Sequence, residues 1–146
     1  MNRDSEFRGK EIKTGRWVYG GYFKHYKRQP CPVNDCDKEE DAVHLIIKSG
    51  FADWNMPRGI EAFEVDPKTV GEYTGEKDRK GNKIYEDDVA KYINRKDQTE
   101  YSKCLVYFQD SAFFMDEDLM NHIMIDHDIE VIGNVHDNKG LLEEAE

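Results

Sequence analysis

Nowhere do these 146 residues hold an apolar run of about eighteen, the length a membrane-spanning helix needs, so no membrane partner is expected. The opening segment, Met1-Asn2-Arg3-Asp4-Ser5-Glu6, lacks the apolar core of a secretory signal, which predicts a cytoplasmic protein. Cysteine is scarce: three residues, an odd number in a chain without an export signal, read as reduced thiols and not as a disulfide framework. Four prolines are too few for a disordered chain. Recognisable catalytic machinery is missing as well. Gly71, Gly75 and Gly81 lie in a turn-rich stretch and not between a strand and a helix, so they make no phosphate-binding loop, and no nucleophile elbow occurs. Cys104 sits in the apolar string Cys-Leu-Val-Tyr-Phe, where a buried, unreactive thiol is expected. His122, His127 and His136 are spaced by five and nine residues, which puts no pair on one helical face and makes each a surface or rim residue. No catalytic residue and no cofactor is therefore expected, and the chain reads as a protein that is not an enzyme.

Basic residues are also scarce in one place. Residues 97 to 146 carry 13 Asp and Glu against only Lys103 and Lys139, while residues 1 to 96 carry 19 basic and 18 acidic side chains, so the whole net charge of −10 originates in the last third. Such an acidic segment serves as a solvated surface, or meets a basic face on another subunit or another protein.

What is present suits a β-rich domain. The length is that of one ordinary domain, which buries roughly 70% of its extended-chain surface, and an aromatic share of 12%, with eight Tyr and seven Phe, fits half-buried strands. Residues 5 to 10 and 16 to 24 read as two strands joined at Lys13-Thr14-Gly15, with a bulge or bend expected near Gly20-Gly21 because Trp17, Tyr19 and Tyr22 do not keep one period of two. Residues 42 to 47 and 60 to 65 read as a further pair, and Phe51 and Trp54 on the loop between them are expected to fold back as a lid on the core. Residues 89 to 93, 104 to 108, 112 to 115 and 129 to 135 give four more strands, with Gln109-Asp110-Ser111 as a hairpin turn. Residues 116 to 126 read as a short helix, since Leu119, Met120, Ile123 and Met124 fall at helical spacing behind a group of acids.

Three groups of residues carry what chemistry can be suggested. Residues 1 to 28 hold eight Lys and Arg against three acids, with five aromatics between positions 17 and 26, a mixture that can track phosphates and stack bases or simply form the core and wet face of a hairpin. Cys31 and Cys36, flanked by His25 and His44, are the one set with metal-ligand character; two Cys and two His suit tetrahedral Zn²⁺, although the spacing is that of no recognised finger and a plain polar loop accounts for it as well. Glu86, Asp87 and Asp88 are neighbours in a tight turn, where capping of backbone donors is expected in place of acid–base or divalent-ion chemistry.

The densest backbone signals fall between residues 65 and 89. Asp66 is placed to cap a helical turn that starts on Pro67, a residue with no N–H to leave unpaired. Asp78-Arg79-Lys80-Gly81-Asn82 reads as a type I turn closing through a bulge, with Gly81 at positive φ. Ile84, Val89 and at least part of Tyr85 are expected to be buried. The string from Thr69 through Tyr73-Thr74-Gly75 and Gly81-Asn82-Lys83-Ile84-Tyr85-Glu86 to Asp88 resembles the central pattern of the YopX family of phage and prophage proteins. Phe7-Arg8-Gly9-Lys10, Gly15-Arg16-Trp17-Val18-Tyr19-Gly20 and Glu130-Val131-Ile132-Gly133-Asn134-Val135, with Asp137-Asn138 and Leu141-Leu142, resemble that family's opening and close. The chain departs from the pattern at Asp87, where the family has Gly, and at Lys139-Gly140, where a Pro-Glu is usual; Asp is among the residues that best tolerate the left-handed region a glycine would occupy.

Taken together these readings predict a mainly β, β-rich α+β fold of small, strongly bent antiparallel sheets, barrel-like in the manner of SH3 modules, with one or two short helices. One YopX-like domain is expected over residues 1–146, with subregions at 1–65 (N-terminal strands) and 66–146 (the barrel-like part). The resemblance implies a phage- or prophage-encoded accessory protein in the bacterial host cytoplasm. It is expected to act by binding and homo-oligomerisation, through head-to-tail contact between its neutral and acidic parts or with a host or phage protein. A nucleic-acid-binding module using the basic, aromatic N-terminal strands is the alternative.

Overall fold

A computed structural model describes residues 5–28, 39–51, 54–101 and 103–140. The chain divides after Val70 into two compact units, Met1–Val70 and Gly71–Glu146, each built on antiparallel strands.

In the first unit β1 (Phe7–Lys10), β2 (Trp17–Tyr26), β3 (Ala42–Ser49) and β4 (Ile60–Glu64) lie in the order β4-β3-β2-β1. β2 is ten residues long because it serves two neighbours in turn: its first half pairs with β1 (Phe7 opposite Gly20) and its second with β3 (Gly21 opposite Ile47). The expected bulge at the glycines is absent. From Val18 onward β2 keeps a strict period of two, with Val18 and Tyr22 inward and Tyr19 and Phe23 outward. Gly20 is there for close approach: a Cβ at that position would lie 2.2 Å from the Ile47 carbonyl oxygen, so no side chain fits between the strands.

The buried centre of this unit is small, formed by Val18, Ile46 and Val65 with Phe7, Tyr22, Phe63 and Val70 packed around it. A turn of 3-10 helix, Pro67–Thr69, follows; the Asp66 carboxylate accepts the Lys68 N–H (3.1 Å) and Pro67 occupies the first helical position, as the sequence predicts. Thr69 then ties the turn to β1, its Oγ1 accepting the Lys10 N–H (2.8 Å). β3 and β4 pair as expected, but the loop between them forms no lid. Phe51 and Trp54 are 92% and 96% exposed, beyond the Gly50 N–H to Gly59 carbonyl bond (2.8 Å) that closes the end of the hairpin.

The second unit opens with a hairpin of β5 (Gly71–Lys77) and β6 (Lys83–Tyr85) and continues through β7 (Asp88–Asn94), β8 (Cys104–Gln109), β9 (Ala112–Met115), β10 (Asp118–Leu119), α1 (Met120–Asp126) and β11 (His127–Asn134). The last five strands form one sheet in the order β10-β9-β8-β7-β11. That sheet is open, with β10 and β11 at its edges, so the fold is mainly β and antiparallel but the barrel does not close. Its bend comes with a register shift between Val131 and Gly133, one residue more on β11 than β7 can pair. The core is larger than that of the first unit: Ile84, Ala90, Cys104, Val106, Met115, Met120, Ile123 and Ile129 are all buried in contact. Ile84, Tyr85 and Val89 are buried as predicted.

The β5–β6 turn is organised by one side chain. Buried Asp78 accepts the Asn82 N–H (2.8 Å) and the Lys80 N–H (2.9 Å) on Oδ1, and the Val131 N–H of β11 (3.2 Å) on Oδ2. Gly81 adopts φ +87, the left-handed geometry that the turn requires at that point. Asp87, at the position where the family pattern has glycine, adopts φ 67. The predicted helix at residues 116 to 126 is shorter than expected. Asp116 and Glu117 make a tight turn, Asp118 and Leu119 pair back onto Met115 and Phe114 as β10, and helical structure starts only at Met120.

Candidate functional site

Of the suggested metal quartet only the two histidines fall within the described residues. Cys31 and Cys36 lie outside the described residues. His25 is paired with Val43 and His44 with Lys24, so the two imidazoles leave opposite faces of adjacent strands. His44 Nδ1 lies 2.5 Å from the Tyr22 hydroxyl, while His25 stacks along its own strand on Phe23. Among the described residues no three His, Cys, Asp or Glu side chains are placed to hold a metal ion.

The basic, aromatic N-terminal strands satisfy much of their charge internally. The Arg8 guanidinium lies 4.6 Å from the Trp17 ring and Lys10 Nζ 5.4 Å from it, while Lys24 binds Glu39 (2.6 Å) above the Tyr26 ring. The Lys24 bond holds the Glu39 carboxyl below its ordinary value. In the turn at residues 86 to 88 the carboxylates have separate duties. Glu86 accepts the Glu72 N–H (3.1 Å), Asp88 the Tyr85 N–H (2.8 Å), and Asp87 meets His136 Nε2 (3.1 Å). Burial is the main cause that pushes the Glu86 carboxyl up. Cys104 is buried, and burial, reinforced by the charge of Asp116, pushes its thiol up to about 12. A thiol so placed is protonated at neutral pH and is a poor nucleophile.

The second unit contains a concavity of about 330 Å³ that the sequence analysis did not assemble. One wall is aromatic. After β7 the chain turns back, and the Tyr101 N–H donates to the Tyr92 carbonyl (3.0 Å), which lays the two phenol rings parallel at 4.6 Å between centroids. His127, the first residue of β11, stands edge-on to both rings at 5.1 and 5.2 Å. Its Nδ1–H donates to the Ile123 carbonyl (3.2 Å), which fixes the tautomer and leaves Nε2 as the acceptor.

The other wall is acidic. Asp116, in the β9–β10 turn at φ 60, faces the Tyr92 hydroxyl at 3.5 Å, and its carbonyl accepts the Tyr107 hydroxyl (2.8 Å). Asp118 accepts the Leu119 N–H (2.8 Å) and pairs with His122 Nδ1 (3.2 Å). Asp126 closes the end of α1, and Ile123 forms the floor. Among the described residues no Lys or Arg lines the pocket, and the negative field is felt nearby: the Tyr92 phenol is pushed up, first by burial and then by Asp116.

Helical spacing was the wrong test for His122 and His127. Only His122 is helical; His127 begins a strand, and a sharp change of direction at Asp126 brings the two to one rim. Tyr101 is hidden in the sequence for a related reason, because it lies in the connection between the strands expected at residues 89 to 93 and 104 to 108. The available signal was the pair of tyrosines flanking a turn of Asn, Asp and Thr, which the Ile93–Glu100 bridge and the Asn94 N–H to Thr99 carbonyl bond (2.9 Å) close.

Comparison with known proteins bears on the whole chain and not on this pocket. The family model described as YopX protein matches residues 6–143, and the chain belongs to that family. A similar solved structure is the crystal structure of protein EF1440 from Enterococcus faecalis, 20% identical, covering 95% of this chain and 98% of that one with a TM-score of 0.54; at that identity the likeness concerns the fold alone. No curated protein matches the sequence. Among the described residues no helix is long and apolar enough to cross a membrane.

Proposed function

We propose that this protein is a phage- or prophage-encoded accessory factor of the bacterial cytoplasm that works by binding, first of all to copies of itself, and does not catalyse a reaction. The observation that carries the reading is the end of the β3–β4 hairpin. Phe51 and Trp54 stand almost wholly in solvent, and Ile60 and Met56, at 81% and 66% exposure, extend the same apolar end. Single exposed apolar side chains are ordinary, but several large ones within one short connection mark a contact surface, and Trp in particular is an anchor residue at interfaces.

An apolar contact predicts a distinct response to salt. Light scattering on the purified chain at tens of micromolar is expected to give a mass above that of the 17.1 kDa monomer at both low and high salt, whereas a contact made by the acidic unit alone would dissolve as salt rises. Phe51→Ser with Trp54→Ser is expected to return the mass to that of the monomer without changing the far-UV spectrum. A native chain that is strictly monomeric under both conditions would remove the self-association reading.

A further inference from the structure

We propose that the aromatic and acidic pocket of the second unit binds an extended organic polycation of the linear polyamine class. Three observations converge on this ligand chemistry. The first is an acidic lining: Asp116, Asp118 and Asp126 border one concavity, and among the described residues no Lys or Arg lines it, the imidazole of His122 (3.2 Å) being the group that meets Asp118. The Arg95 guanidinium is already committed: its backbone N–H donates to the Asp126 carbonyl, and its side chain is directed to Asp128 (2.9 Å) and to the Ile125 carbonyl (3.1 Å). The second is spacing. Among the described residues no three carboxylates, imidazoles or thiols are grouped to hold a single metal ion, an arrangement that suits separate ammonium groups better than one coordinated cation.

The third is the wall opposite. The Tyr92–Tyr101 stack, with His127 edge-on, offers an apolar platform for a methylene stem and ring faces that attract an ammonium group, while the carboxylates take the ammonium N–H donors. At about 330 Å³ the space falls at the lower end of the range for small-molecule sites, roughly 300–1,000 Å³. Nothing in this inference depends on the apolar hairpin end, which belongs to the other unit.

The test is a spermidine titration of the full chain, followed by heteronuclear NMR of the tyrosine and histidine rings and by calorimetry. Magnesium chloride at matched ionic strength serves as the control for screening. Saturable shifts confined to Tyr92, Tyr101 and His127 are expected, which magnesium does not reproduce. Asp116→Asn, a change that the left-handed backbone tolerates, and Tyr101→Ala are each expected to weaken binding on the order of tenfold or more, one decade being about 1.4 kcal/mol. Their unchanged amide spectra elsewhere would show that the fold is intact. The proposal is overturned if magnesium gives the same shifts, if the shifts fall outside the pocket, or if both variants bind as the native chain does. A short trilysine peptide that binds as tightly as spermidine would also overturn it, since the pocket would then read protein lysines.

Discussion

The two units are built from the same kind of strand and differ in how they are held and in what they present. The first, residues 1–70, carries 12 basic and 12 acidic side chains; the second, residues 71–146, carries 9 and 19, so the whole net charge of −10 belongs to it. The first unit encloses a core cluster of three buried aliphatic side chains and turns its surplus apolar surface outward at Phe51, Trp54 and Ile60. The second unit encloses a core cluster of eight buried residues and turns outward a pocket lined by acids. Apolar area withdrawn from water contributes on the order of 25 cal/mol per Å², so a chain that leaves large side chains exposed in one unit gives up stability there. Contact with a partner is a physical reason for doing so.

The comparison is broken most severely by truncating the two cores at matched positions. Met115 and Ile46 are both fully inaccessible, and changes of Met or Ile to Ala in a core cost about 2–5 kcal/mol, more where the surroundings cannot collapse into the space. Met115 is walled in by Val106, Met120, Ile123 and their neighbours, whereas the cluster around Ile46 is shallow and ringed by half-buried Tyr22 and Phe63. Met115→Ala should therefore cost about 4 kcal/mol and Ile46→Ala nearer 2 kcal/mol in chemical denaturation. Equal or inverted costs would show that the small core of the first unit is packed as tightly as the large one.

Next in size is Asp78, the buried carboxylate that organises the β5–β6 turn of the second unit. Burial, the largest influence, pushes its carboxyl up, but the hydrogen bonds from Asn82, Val131 and Lys80 together outweigh burial and hold it below its ordinary value. The sign follows: a carboxyl depressed in the folded state stabilises the fold above its unfolded value, and that contribution is lost as pH falls through the folded value. Asp78→Ala is expected to cost about 2–3 kcal/mol at pH 7, as charged hydrogen bonds are removed, and to flatten the loss of stability of the native chain below about pH 4. If the variant and the native chain keep the same stability gap down to pH 2, the carboxylate charge is not what holds this turn.

Asp78 also shows what could be read from the sequence and what could not. The turn at residues 78 to 82, the cap at Asp66 and the strand boundaries at 112 and 115 follow from local chemistry, because Asp, Pro and Gly restrict the backbone within a few residues of themselves. The reach of Asp78 to Val131 is a contact across 53 residues, which no local rule supplies. The same limit explains the pocket. Tyr92, Asp116, His122 and His127 are carried on β7, a hairpin turn, α1 and β11, and only the sheet order brings them together. In the first unit the error ran the other way. The glycines at 20 and 21 suggested local irregularity, yet the backbone is regular and the reason for Gly20 is the carbonyl of Ile47 on the neighbouring strand.

The smallest expected effect sharpens the comparison at the level of turns, and it is a gain. β8 and β9 are joined by only two residues, Asp110 and Ser111, at φ 51 and 64, the signature of a type I′ turn whose hand matches the twist of the strands. Asp tolerates this region, but Ser at the second position holds a left-handed conformation that glycine adopts without steric penalty. Ser111 is exposed, so replacing it removes no buried packing. Glycine also widens the unfolded ensemble, which takes back part of the benefit. The net expectation for Ser111→Gly is a stabilisation of about 0.5 kcal/mol, or a few degrees in Tm by calorimetry. The spermidine response of the neighbouring pocket should stay unchanged, because Asp116 keeps its own turn. A loss of stability would mean that the Ser111 hydroxyl, and not the backbone it tolerates, fixes this hairpin.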